Sequence, residues 1–179
     1  MRVIGGTVKR KKLIMPKGKE FRLTTDKVKE AIFSAIQFEI NEKTFLDLFA
    51  GSGQMGIEAL SRGASSAIFI DNSQTAIKVI RSNLSIVGFI EQSKIIFNDA
   101  FPFLNNICEN FDIAFLDPPF HSGIINKILP IIAQKINHNG IIICETSVKE
   151  ALPEKYDNFL KMKSYHYGKI AVNIYRQQY

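Results

Sequence analysis

From Thr44 onward, short apolar runs alternate with stretches of helical periodicity, and this alternation leaves few folds open to the chain. Residues 44–49 form a short β run, and 54–62 a helix that Gly63 ends. Residues 67–71 form a strand. A helix over 73–87 follows, with Ile77, Ile80, Leu84 and Val87 on one side and Gly88 as its stop. A strand over 94–98 and a short helix over 101–109 lead to the apolar run Phe111-Asp112-Ile113-Ala114-Phe115-Leu116. Helical spacing returns over 122–137 through Ile125, Ile128, Ile132 and Ile136, with Pro130 as an expected kink. Residues 141–145 are almost wholly apolar, as a strand buried on both faces must be. Two strands about Gly168, over 159–167 and 169–176, close the chain as a hairpin. Alternating β and α units predict an α/β fold. Its sheet is mostly parallel and seven-stranded, covered on both faces, with a C-terminal antiparallel hairpin.

The first residues break this pattern. Residues 2–9 and 12–15 look like two short strands, with Gly5-Gly6 as a bulge and a basic turn between them. We therefore expect an N-terminal β-hairpin appendage over residues 1–22 and one domain over 23–179. Charge follows the same division. Met1 to Glu30 holds ten Lys/Arg against three Asp/Glu, whereas the rest holds thirteen against fourteen. A basic block on a near-neutral body suits an arm that grips a polyanion, through Arg2, Lys9, Arg10, Lys11, Lys12, Lys17, Lys19 and Arg22. Thr24-Thr25-Asp26 supplies N-cap residues for a following helix on Val28, Ala31, Ile32, Ala35 and Ile36. No apolar run approaches the ~20 residues that span a bilayer. Met1 to Lys19 lacks the apolar core of a signal peptide. Cys108 and Cys144 stand far apart, without a CxxC, and fit buried, reduced thiols of a cytoplasmic protein. His121, His138 and His166 have no ligand spacing, so no metal is expected.

Chemistry concentrates at the expected strand ends. Asp117-Pro118-Pro119-Phe120 closes one strand, and two prolines cannot continue a ladder. An acid, acceptor carbonyls outside the ladder and an aromatic ring then stand where open α/β sheets bind ligands. The set suits a flat amine: acid and carbonyl take its N–H groups, and the ring stacks on its face. Gly51-x-Gly53-x-x-Gly56 sits between the first strand and first helix and matches the dinucleotide fingerprint. The pattern serves NAD, FAD or S-adenosylmethionine alike, as does an acid at Asp71 for ribose hydroxyls. Asp47 separates them. A carboxylate ahead of the glycines repels a pyrophosphate and welcomes a cationic amino-acid moiety. Asp99 ends the third strand, placed for an adenine amino group. Phe49, Ala50, Gly51, Ser52 and Gly53, with Asn72 and Ala100, complete the expected cofactor set around Asp47, Asp71 and Asp99.

The chain resembles Rossmann-like class I S-adenosylmethionine-dependent methyltransferases, and more closely the bacterial 16S rRNA (guanine(966)-N(2))-methyltransferase family. The matching stretches are Arg2-Val3-Ile4-Gly5-Gly6, Arg22-Leu23-Thr24-Thr25-Asp26, Leu46-Asp47-Leu48-Phe49-Ala50-Gly51-Ser52-Gly53, Glu58-Ala59-Leu60-Ser61-Arg62-Gly63-Ala64 and the strand through Asp117-Pro118-Pro119-Phe120. Leu23 stands where the family often has proline, Phe120 where it often has tyrosine, and Lys27 and Lys29 where arginine is frequent. The resemblance implies S-adenosylmethionine as cofactor and methyl transfer to a guanine N2 in 16S rRNA or the assembling small ribosomal subunit. Asp117, Pro118, Pro119 and Phe120 would then be the catalytic loop of a cytoplasmic, monomeric enzyme. Rival functions are an amino-methyltransferase for adenine N6 or a protein glutamine, a nicotinamide-dependent oxidoreductase, and a non-catalytic RNA-binding module.

Overall fold

The computed structural model describes residues 1–16 and 24–178. After α1 (Asp26–Ala35), strands and helices alternate: β1 (Thr44–Asp47), α2 (Gln54–Ser61), β2 (Ser66–Asp71), α3 (Gln74–Val87), β3 (Ser93–Phe97), α4 (Ala100–Asn106), β4 (Phe111–Leu116) and α5 (Ile124–Ala133). Four strands end the fold: β5 (Ile136–Ser147), β6 (Lys155–Tyr156), β7 (Phe159–Tyr167) and β8 (Ile170–Gln177). All eight form one sheet in the order β3-β2-β1-β4-β5-β8-β7-β6. The strands from β3 to β5 in that order pair parallel, and β5–β8, β8–β7 and β7–β6 pair antiparallel. The two-residue β6 is the strand beyond the expected seven. Strand order reverses between β1 and β4, and their C-terminal ends form the crevice where such sheets bind ligands.

Strand periodicity sorts the core into two layers. Phe45, Phe69, Ile113, Phe115, Ile141 and Ile143 face α1, α2 and α3, joining Ile32, Phe33, Ile57, Leu60, Ile80 and Leu84. Their neighbours Leu46, Ile68, Ile70, Ala114, Leu116, Ile142 and Cys144 face α4 and α5, joining Phe103, Leu104, Ile125, Ile128, Leu129 and Ile132. Cys144 is the buried thiol expected, and burial holds its pKa far above the ordinary value. Cys108 instead lies exposed after α4, which stops at Asn106. The helix expected over 122–137 is shorter at both ends. Gly123 starts it, and β5 begins at Ile136, with a register shift against β4 before Ile141.

The N-terminal segment doubles back antiparallel through one bridge, Arg2 to Lys12, where Val3 N–H donates to the Lys11 carbonyl at 3.0 Å and Leu13 N–H to the Met1 carbonyl at 3.2 Å; neither side runs on as the strands expected over 2–9 and 12–15. Val3 and Leu13 drop into the core beside α1 and α2. Gly5-Gly6 makes no bulge; it lets the backbone lie against the end of α2. Thr7 N–H donates to the Ser61 carbonyl at 2.7 Å, and a Cβ on Gly6 would stand 1.7 Å from that oxygen. Beneath the segment, Lys29 is wholly buried: it donates to the Arg2 carbonyl and lies 3.9 Å from Glu58 and 3.7 Å from Asp26. Glu58 also accepts from Ile4 N–H at 2.8 Å and from Arg62 Nε at 2.8 Å. Lys29 therefore anchors the arm and adds no charge to its surface. Lys9, Arg10, Lys11 and Lys12 are exposed, and Arg2 pairs at the surface with Asp26 at 3.0 Å. Lys17, Lys19, Arg22 and Leu23 lie outside the described residues.

Candidate functional site

The glycine loop leaves β1 and turns into α2 over residues 48–53. Gly53 takes a left-handed backbone as the N-cap residue of α2. Gly56 lets α2 settle on β2: a Cβ there would meet the Phe69 ring at 2.3 Å. Two acids tie the loop down. Asp47, 1% exposed, accepts the Gly56 N–H at 3.0 Å. Asp71 accepts the Gly51 N–H on one oxygen and the Ser73 N–H on the other, each at 2.8 Å.

Two adjoining clefts open at the strand ends, and Phe49 lines both. One is bounded by Leu48, Phe49, Asp71, Asn72, Asn98, Asp99 and Ala100. Asn72 Nδ2 donates to Asp99 Oδ1 at 2.7 Å, so both strand-end groups point across the same opening. The other cleft joins Asp47, Phe49, Ala50, Gly51, Ser52, Gln54 and Met55 to Thr24, Phe115 and Asp117. The acid before the two prolines thus shares one cavity with the glycine loop. Pro118 is buried, Pro119 exposed and Phe120 half-buried, its ring edge-on to His121 at 6.4 Å between centroids. His121 has a left-handed backbone, and its N–H donates to Glu150 at 3.3 Å.

The electrostatics are asymmetric. Burial pushes the Asp47 carboxyl up to about 7; the Gly56 N–H opposes the rise, and the charge of Asp71 adds to it. Asp71 is also raised by burial, against its two backbone bonds. A buried acid held near neutrality by desolvation is poised to ionise when a cation arrives.

Sequence reasoning missed six lining residues: Leu48 and Asn98 in the first cleft, and Thr24, Gln54, Met55 and Phe115 in the second. Thr24 reaches the cleft from just ahead of α1, where its hydroxyl donates to Glu145 of β5 at 3.0 Å. Gln54 and Met55 arrive as the first residues of α2. Thr25, not Thr24, caps α1, accepting the Val28 N–H. Thr24 was legible only as a second candidate cap. Tyr175 is wholly buried, donating to the Pro153 carbonyl at 2.6 Å, while Tyr165 and Tyr167 pack half-buried beside α1. Among the described residues no group of three or more His, Cys, Asp or Glu is placed to hold a metal, and no helix is long and apolar enough to cross a membrane.

The reversed strand order, the glycine turn and the acids at three strand ends together define a Rossmann-like, S-adenosylmethionine-dependent methyltransferase. The nicotinamide alternative falls with that class. Residues 1–176 match the model of the family described as Conserved hypothetical protein 95, and the chain belongs to that family. It is similar to ribosomal RNA small subunit methyltransferase D of Haemophilus influenzae, at 31% identity over 98% of this chain and 93% of that protein. The Escherichia coli (strain K12) protein of the same name is 29% identical over 99% of this chain and 90% of its own length. YlbH of Bacillus subtilis (strain 168) is 37% identical over 99% of this chain and 100% of that protein. Among solved structures, yhhF from Escherichia coli superposes with a TM-score of 0.90 at 28% identity, covering 99% of this chain and 98% of that one.

Proposed function

We propose that this protein methylates the exocyclic N2 of a guanine in small-subunit ribosomal RNA, in the bacterial cytoplasm. One observation carries the reading: Asp117 and the glycine loop line a single cleft. The names of the full-length relatives supply the substrate class.

The residues present fit S-adenosylmethionine. Asp71, Asn72, Asp99 and Ala100 bound a cleft with hydroxyl and amine acceptors for an adenosine, and Asp47, Ala50, Gly51 and Ser52 bound one that suits its amino-acid end. The cofactor supplies an electrophilic methyl on a sulfonium. Guanine N2 is a weak nucleophile because its lone pair is delocalised into the ring. Asp117 and the Pro118 carbonyl accept its two N–H bonds and turn the lone pair toward the glycine loop. That contribution is positioning, with electrostatic stabilisation of the charge growing on nitrogen. Pro119 stiffens the loop, and Phe120 stacks on the base, a contact worth about 1–3 kcal/mol. The base must leave its stack to reach a cleft of this kind. Outside the cleft, Arg2, Lys9, Arg10, Lys11 and Lys12 hold phosphates. Lys17, Lys19 and Arg22 join them by sequence alone.

Mass spectrometry of small-subunit rRNA from a deletion strain tests this. One N2-methylguanine is lost, and is restored by the wild-type gene but not by Asp117→Ala. An unchanged methylation pattern in the deletion strain refutes the substrate.

A further inference from the structure

Asn83 lies on α3, outside the two clefts, yet its side chain is wholly buried. Its Oδ1 accepts the Ile14 N–H at 2.7 Å, and its Nδ2 donates to the Ile14 carbonyl at 2.9 Å. One amide thus engages one arm residue as a neighbouring strand would. The second Nδ2 hydrogen goes elsewhere, to the Ser52 carbonyl of the glycine loop at 2.9 Å. Ser52 reaches back in turn, its hydroxyl donating to Met1 Sδ at 3.3 Å. Among the described residues, the basic arm and the cofactor loop are therefore joined at two points, both through Ser52.

Holding the arm alone needs only the pair of bonds to Ile14. The third bond makes the position of the loop depend on whether the arm is docked. Only an amide does both, since it has one acceptor and two donors in a fixed plane. Its burial keeps water from substituting for a lost partner.

We propose that Asn83 is a positioning residue that couples docking of the arm to the geometry of the glycine loop. Cofactor binding then holds the arm down. By reciprocity, whatever holds the arm down tightens cofactor binding by the same factor. Given the proposed role of the arm as the RNA grip, on which this last step rests, methyl donor and RNA bind cooperatively.

The arm carries its own reporter, because Lys9, Arg10, Lys11 and Lys12 are exposed trypsin sites. The full chain is digested with and without saturating S-adenosylhomocysteine, saturation being set by calorimetry, and cleavage at these sites is timed by mass spectrometry. In the wild type the ligand slows arm cleavage by about fivefold or more, the lower end of typical coupling. In Asn83→Ala the ratio of rates with and without ligand falls toward one. Ile14→Pro does the same from the arm's side; it removes the N–H while altering a side chain that is 47% exposed. A merely structural role raises both rates and leaves the ratio untouched. Absence of protection in wild type at proven saturation overturns the coupling, as does a wild-type ratio in both variants. Failure to bind S-adenosylhomocysteine at all overturns the functional reading first, and the coupling with it.

Discussion

The proposed placement of Asp47 beside the cofactor's amino-acid end predicts that cofactor binding releases a proton. Its carboxyl sits near 7 in the free protein because burial outweighs the single Gly56 N–H bond. At pH 6 it is therefore about nine-tenths protonated. Under the proposed assignment the ammonium of S-adenosylhomocysteine enters the same cleft, where it would favour the carboxylate and expel the proton. The sign follows: affinity weakens as pH falls below 7 and levels off above about 8, where the free protein has already lost the proton. With about 1.4 kcal/mol per unit, the Kd at pH 6 should be about tenfold that at pH 8. Calorimetry in two buffers of different ionisation enthalpy counts the protons: about 0.9 released at pH 6, about 0.5 at pH 7 and about 0.1 at pH 8. Asp47→Asn should abolish both slope and release, and bind more weakly than wild type at pH 8. The free protein's stability should run the other way. The folded value is raised above the ordinary 3.8, so stability falls as pH climbs from about 4 to 7. A wild-type Kd that is level from pH 6 to 8, with no proton released, would show that no cation meets Asp47.

Further outcomes follow from the same structure. Asp117→Ala should abolish methylation while leaving S-adenosylhomocysteine affinity within about twofold, since the lost group positions the acceptor; loss of both would make it a structural residue. Replacing Lys9, Arg10, Lys11 and Lys12 with glutamine should reduce the slope of log affinity for RNA against log salt by up to about 4, and an unchanged slope removes the arm from the interface. Lys29→Met should destabilise by about 1–3 kcal/mol in urea titrations, because the Arg2 carbonyl loses its buried donor while Glu58 keeps Arg62 as its cation. Gly6→Ala should cost about 1–3 kcal/mol by the same measurement, since the new methyl collides with the Ser61 carbonyl; wild-type stability would mean the arm does not dock there.

Legibility in the sequence depended on periodicity. The parallel body was readable because each strand and helix carries its own local signature, down to Gly53, Gly63 and Gly88 at helix ends. The placing of Asp47, Asp71, Asp99 and Asp117 around the clefts was readable too, because the strand pattern puts them at strand ends; what they bind is a proposal. The strand lengths and glycines of the arm were misread for a physical reason. Gly5 and Gly6 fit a bulge as well as a close approach, and what they approach, Ser61, lies 56 residues beyond Gly5. Lys29 carried a usable hint: it shares a helical face with Phe33 and Ile36, where a lysine must find partners. Asn83 carried none, since its partners Ile14 and Ser52 are 69 and 31 residues away. Cys108 was assigned to the interior by residue type, but α4 ends before it.

Asp71 has a consequence for anyone wishing to redesign this enzyme for an altered methyl donor. In many nucleotide-binding proteins the acid after the second strand is a natural place to change cofactor preference. Here that acid is also a fastener, holding Gly51 with one oxygen and Ser73 with the other. Asp71→Ala releases both turns at once, and Asp71→Asn keeps an acceptor for only one of them, so ligand preference is not altered there without disturbing the loop. Asn72 and Asp99 bond to each other and stand exposed at the same opening. They are where variation is cheap, and where a library should begin.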